Sequence, residues 1–264
     1  MRLCRTQSHN NHAAFQGFFQ PSYNPIGMTD AGISRPSLYC AFHSLYGPMS
    51  TANVPSTTIS ESKTAALSRV LDSIPKGYRY WMAGKVPARK AIRMLEKFHQ
   101  QFGIGCSPGQ RITRKQQGVA NTLLVLYWPP EADTADWLLL ATPGTGLESE
   151  TVTDMTAKPK LVWLGYELTR HAIRGRVAWT WRRTKGEMAE HYGVLKELLK
   201  RRHMGAVQDT LQRLAHQPGF HGVREQSRVL CEFAKAYGYE GKVPFLFHVQ
   251  KVGHGRRLEL GTRR

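Results

Sequence analysis

Acidic residues are scarce in this chain. Nineteen Asp and Glu stand against 37 Lys and Arg in 264 residues, a formal net charge of +18. Cysteine is sparse too. Cys4, Cys40, Cys106 and Cys231 are scattered with no CxxC pair, which excludes a disulfide scaffold and fits reduced thiols in a cytoplasmic protein. No apolar run approaches the roughly 20 residues of a membrane span. Arg2 and Arg5 lead into no apolar stretch, because Gln16, Gln20, Ser22 and Asn24 interrupt Phe15, Phe18 and Phe19, so no signal peptide is expected. HExxH, the H-x-E…PCxxC deaminase signature and a phosphate loop ending in Gly-Lys-Ser/Thr are all missing. Gly103-Ile104-Gly105 and Gly144-Thr145-Gly146 are lone glycine pairs that read as turns. Cys4, His9, His12, Cys40 and His43 match no zinc spacing, so neither a metal nor another cofactor is expected.

What is present is enough apolar surface for a core, at 41% hydrophobic and 10% aromatic residues, with the charge unevenly placed. Residues 1–60 carry only Arg2, Arg5, Arg35 and Asp30, among many Ser, Asn, Gln, Gly and Pro. Residues 1–57 are therefore expected to be a disordered or non-native N-terminal extension, with a true start at Met49 as the simplest origin, ahead of a single basic domain over 58–264. That later span holds nearly all of the positive excess.

The period of the apolar residues predicts an α+β fold. Thr58 and Glu61 form a T-x-x-E capping box ahead of Leu67, Val70, Leu71 and Ile74, a short helix ending before Pro75. A second helix runs from Pro87 to Phe102, with Ile92, Leu95 and Phe102 on its apolar face and Gly103 as its stop. Runs at 122–128, 136–142, 160–171 and 176–183 are rich in Val, Leu, Thr, Trp and Tyr. They read as an antiparallel meander of about four strands. Helices follow at 185–203, 205–216 and 222–238. A C-terminal hairpin is expected from 243–252 and 256–260 about the Gly253–Gly255 turn. The sheet is expected to be covered by these amphipathic helices on one face.

The cations form clusters. Helix 87–102 carries Arg89, Lys90, Arg93 and Lys97 away from its apolar face. Helix 185–203 ends in Lys196, Lys200, Arg201 and Arg202, and helix 222–238 carries Arg224 and Arg228. Arg111, Arg114 and Lys115 precede the first run, and Arg182 and Arg183 leave the fourth. Arg79 and Lys85 alternate with Tyr78, Tyr80 and Trp81, a pattern suited to stacking unpaired bases while holding phosphates. One such helix would be an ordinary solvated face, but several with few acidic partners repel one another unless a polyanion neutralises them. Nucleic acid, DNA or RNA, is the expected partner, ahead of an anionic membrane surface, for which the exposed apolar wedge is missing. The role would be that of an accessory factor of replication, processing or a mobile element. One alternative is a metal-independent nuclease or strand-processing enzyme. Its general base would be His171 or His191, the latter i+4 from Glu187 and beside Tyr192. Another is a module docking on an acidic protein.

Overall fold

Ser56–Ser60 is a short strand, β1, and it overrides the capping-box reading. Thr58 lies inside the strand, paired with Arg257, and the cap of the first helix is Ser62, whose Oγ accepts from the Ala65 N–H at 3.2 Å. The helix, α1, spans Lys63–Ser73 and passes through a 3-10 turn at Ile74–Lys76. The computed structural model describes residues 55–173, 175–249, 253 and 255–260. The Met49 start, the Cys4–His43 group and the N-terminal extension up to residue 54 lie outside the described residues. Ser56 and Thr57, assigned above to that extension, belong to β1, and Thr57 is buried.

Among the described residues two sheets and six α-helices make the α+β fold. Strand β2 (Tyr80–Pro87) feeds helix α2 (Ala88–Phe102) directly through Pro87, and Gly103, at φ +73°, ends the helix. Helix α3 (Pro108–Gln116) opens on a Ser107/Gln110 capping box. Strands β3 (Thr122–Tyr127), β4 (Thr134–Ala141) and β5 (Thr153–Asp154) complete a sheet of order β5-β2-β4-β3-β1, with β9 (Arg256–Glu259) on the far side of β1. The β1–β3 pair is parallel and the others are antiparallel. A second sheet joins β6 (Val162–Trp163), β7 (Tyr166–Ile173) and β8 (Arg176–Arg183). The four expected runs thus form two antiparallel pairs in separate sheets. In the C-terminal segment, 256–259 is a strand that pairs with β1, while 243–249 has no strand assignment.

Both faces of the larger sheet are covered, which corrects the one-face expectation. Leu123 and Val125 of β3 point into a core shared with α1 and with Trp163, Leu168 and Trp181 of the second sheet. Leu124 and Leu126 point into another, closed by Ala91, Leu95 and Phe102 of α2. Two-sided burial makes β3 a continuous apolar run. Trp181 is fully buried, and its indole N–H donates to the Leu67 carbonyl at 3.0 Å, tying the second sheet to α1. Helices α4 (Lys185–Lys200), α5 (Met204–Ala215) and α6 (His221–Ala236) share a third core around Leu195, Leu211 and Leu230. Helix α6 also packs on β8. Among the described residues no helix is long and apolar enough to cross a membrane.

Candidate nucleic-acid interface

Helix α2 is amphipathic in an order that differs by one position from expectation. Ala91, Leu95 and Phe102 are buried, and Ile92 is exposed. Rotating the face this way turns Lys90, Arg93 and Lys97 toward a cleft between α2 and the end of β2, with a volume of about 720 Å³. Lys85 reaches it from β2, and Met94, Phe98 and Trp137 form its apolar lining. Trp137 of β4 stands opposite Gly84 of β2. A side chain at Gly84 would start 2.6 Å from the indole, so the ring occupies the space that glycine leaves. Phe98 meets the indole edge-on with centroids 5.2 Å apart. Among the described residues no ion pair involves Lys90, Arg93 or Lys97. Lys85 stands 3.6 Å from Asp136, and Glu96 is the one carboxylate on the lining. Among the described residues β5 pairs with Tyr80 and Trp81, and no strand pairs with the rest of β2 on that side. A second cleft of about 490 Å³, lined by Ala83, Tyr127 and Trp163, also reaches Lys85. Arg89 is exposed on α2 but outside both clefts.

The expected stacking segment is divided between compartments. Tyr78 is buried in the core, Tyr80 packs toward the α2 side of the sheet and Trp81 toward the opposite side. Alternation along a strand sends neighbours to opposite faces, so these rings form no common platform. Arg79 is paired with Asp154, its Nε 3.0 Å from Oδ2. The aromatic lining of the cleft, Trp137 and Phe98, was missed by the sequence reading. The one local signal is Gly84 itself, a glycine inside a strand, and the Trp137 that fills its space shows only once the register is known.

The other clusters divide between structural and free cations. Arg183 is not a surface residue, which removes it from the interface. Its Nε donates to Gln217 Oε1 at 2.6 Å, Nη1 to the Val223 carbonyl at 3.1 Å and Nη2 to Ser227 Oγ at 2.8 Å. Arg114 donates to the Ala120 carbonyl at 2.8 Å, while Arg111 is half-buried and Lys115 is exposed. Arg224 straps the segment after α6, with Nε donating to the Leu246 carbonyl at 3.0 Å and Nη1 2.9 Å from His248 Nδ1. Arg182 lies 3.7 Å from Glu225, and Arg228 3.7 Å from Glu232. On α4, Arg201 pairs with Glu197 at 2.7 Å, and Lys196, Lys200 and Arg202 are exposed.

The acid–base candidates do not form one group. His191 Nε2 stands 3.7 Å from Glu187 Oε1, beyond hydrogen-bond reach, with Arg183 Nε 3.9 Å from the same carboxylate oxygen. Burial first, then Arg183, holds the His191 imidazole below its ordinary pKa. Tyr192 faces elsewhere and packs edge-on against Phe233 at 5.0 Å. His171 stacks on His221 with centroids 4.6 Å apart and rings 16° from parallel. Its Nδ1 is buried without a hydrogen-bond partner, and burial, His221 and Arg182 lower its pKa against a weaker pull from Glu225. No group of three or more His, Cys, Asp or Glu among the described residues is placed to hold a metal. No family model matches the chain, and neither a curated protein nor a solved structure matches it.

Proposed function

We propose that this protein binds nucleic acid through its phosphates. The observation that carries the reading is the α2 cleft, where Lys90, Arg93 and Lys97 line a concave surface without ion-pair partners among the described residues. Three like charges at this spacing repel one another in the free protein, and a polyanion relieves that repulsion. Lys115 of α3 and Lys196, Lys200 and Arg202 at the end of α4 are further exposed cations open to phosphate. The role fits a cytoplasmic accessory factor of replication or processing, a mobile element's included. Unpaired Cys106 and Cys231 agree with a reducing compartment.

Titrating labelled oligonucleotides with the protein over a range of salt tests this. The logarithm of the affinity should fall linearly with log salt, with a slope of about 0.7–0.9 per phosphate neutralised. The Lys90→Glu, Arg93→Glu, Lys97→Glu triple variant should flatten that slope by about 2–3. Absence of binding in protein freed of bound nucleic acid would instead favour docking on an acidic protein.

A second reading is favoured by the His171–His221 stack. An imidazole whose pKa burial keeps below its ordinary value, stacked on His221 and with Arg182 nearby, has the parts of a general base for metal-independent phosphodiester cleavage. It requires that His171→Ala abolish cleavage of an oligonucleotide while leaving its binding intact.

A further inference from the structure

The nucleic-acid reading accounts for the cations of the α2 cleft but not for its aromatic lining. Resting on that reading, we propose that the cleft takes an unpaired nucleotide, its base stacked on the Trp137 indole, so that the preferred ligand is a single strand. Three features carry this. Trp137 is held in a fixed place: it lies against the bare backbone of Gly84 and meets Phe98 at 89°, and Phe98 in turn meets Phe102 edge-on at 5.4 Å. Edge-to-face contacts of this kind orient rings without covering them completely, and Trp137 stays partly exposed where it borders the cleft.

The cations are placed for a backbone running past that ring. Lys90 and Lys97 are seven residues apart on α2, a row about 10 Å long, with Arg93 between them. Together with Lys85 they outnumber Glu96, the one carboxylate on the lining. Glu96 repels phosphate but accepts from the exocyclic amines of bases, so its presence beside the cations suits a site that takes bases as well as backbone.

A duplex cannot use this arrangement. Its base faces are covered by their stacked neighbours, and it offers the protein only phosphates and groove edges. An unpaired base has a free π-face whatever its identity, and stacking on an aromatic side chain is worth about 1–3 kcal/mol per base. Lys85 borders both this cleft and the second one, whose Tyr127 and Trp163 pack with the core on the opposite side of the sheet.

The test compares four labelled probes of equal length at one salt concentration: oligo(dC), oligo(C), an abasic strand and a duplex. The abasic strand keeps the phosphates and removes the bases, so it needs no protein variant. One or both homopolymers should bind at least about fivefold more tightly than the abasic strand and the duplex. Trp137→Ala should remove that advantage and leave abasic and duplex binding unchanged. Gly84→Ala, which keeps the tryptophan but drives a methyl group against it, should reduce the advantage. Equal binding of all four probes by the wild-type protein, or an advantage that survives Trp137→Ala, overturns the stacking site while phosphate binding stands. Failure of all four probes to bind overturns the nucleic-acid reading and this inference with it.

Discussion

Arg183 is a cation that a basic chain keeps inside. Burial pulls its pKa down, and Glu187 at 3.9 Å and the Tyr166 hydroxyl oppose that pull. What makes the position tolerable is geometry: the planar guanidinium fork reaches Gln217, Val223 and Ser227 at once, while Gln226 bridges the backbone N–H and carbonyl of the same residue. The seam between β8 and α6 is closed by these bonds and by Gly222, whose N–H donates to Thr180 Oγ1 at 3.0 Å. Arg183→Ala removes the donor shared by these three acceptors and leaves a void, and should lower stability by about 3 kcal/mol. Arg183→Lys should recover little of this, because a lysine directs its donors from a single nitrogen and cannot span the three acceptors. Urea denaturation checks both, as a lowered midpoint with an unchanged slope.

Among the α-helices described, α3 rests least on packing. None of its residues is buried, so it is held by its ends. At the start, Gln110 N–H donates to Ser107 Oγ at 3.3 Å while the Gln110 side chain accepts from the Ser107 N–H at 2.7 Å. At the finish, Arg114 and Asn121 bond to backbone carbonyls. Ser107→Ala removes a cap worth about 1 kcal/mol, and amide exchange over 110–117 should speed up roughly fivefold with little change in the global melting temperature. The same contrast explains what the sequence discloses. Helices α2, α4, α5 and α6 and strands β7 and β8 bury a face, so a period marks them, while β3 and β4 are buried on both faces and read as continuous apolar runs. Helix α3 has no apolar period, and only its S-x-x-Q cap marks it. Strand β1 is short and mostly polar, and its Thr58 mimics a helix cap while its pairing with β3 and β9 comes from distant chain. Strand β2 loses its alternation at Gly84, the residue that makes room for Trp137. The α2 cations were readable from helical spacing, but the indole that faces them comes from β4 through strand register, which no local pattern encodes.

For the whole molecule, the excess of positive charge and the histidines act together on stability as the pH falls. His99, His171 and His191 all sit below the ordinary value of 6.5, each with burial as the first cause. At His99 the neutral ring also has a structural role, since Nδ1 accepts from the Gly105 N–H at 3.2 Å. A histidine whose pKa is lower folded than unfolded makes the unfolded chain bind more protons, so stability rises with pH across that interval. The contribution is complete above about pH 6.5 and is lost as pH falls from there through the folded values. Each proton taken up also adds to a chain already at +18, which raises its self-repulsion. Asp154 acts in a separate window. Bonds from the Thr156 hydroxyl and N–H, then Arg79, hold its carboxyl at about 2, so its contribution is intact above about pH 4 and is lost only as pH approaches 2. Denaturation midpoints measured from pH 8 to pH 3 should therefore fall first between about 6.5 and 5. Unfolding at pH 6 should take up protons from the buffer. Added salt should soften the fall by screening the repulsion, while the same salt should weaken the proposed nucleic-acid binding. A midpoint flat across pH 7 to 5 would mean that these three imidazoles titrate alike in the folded and unfolded chains, contrary to their burial.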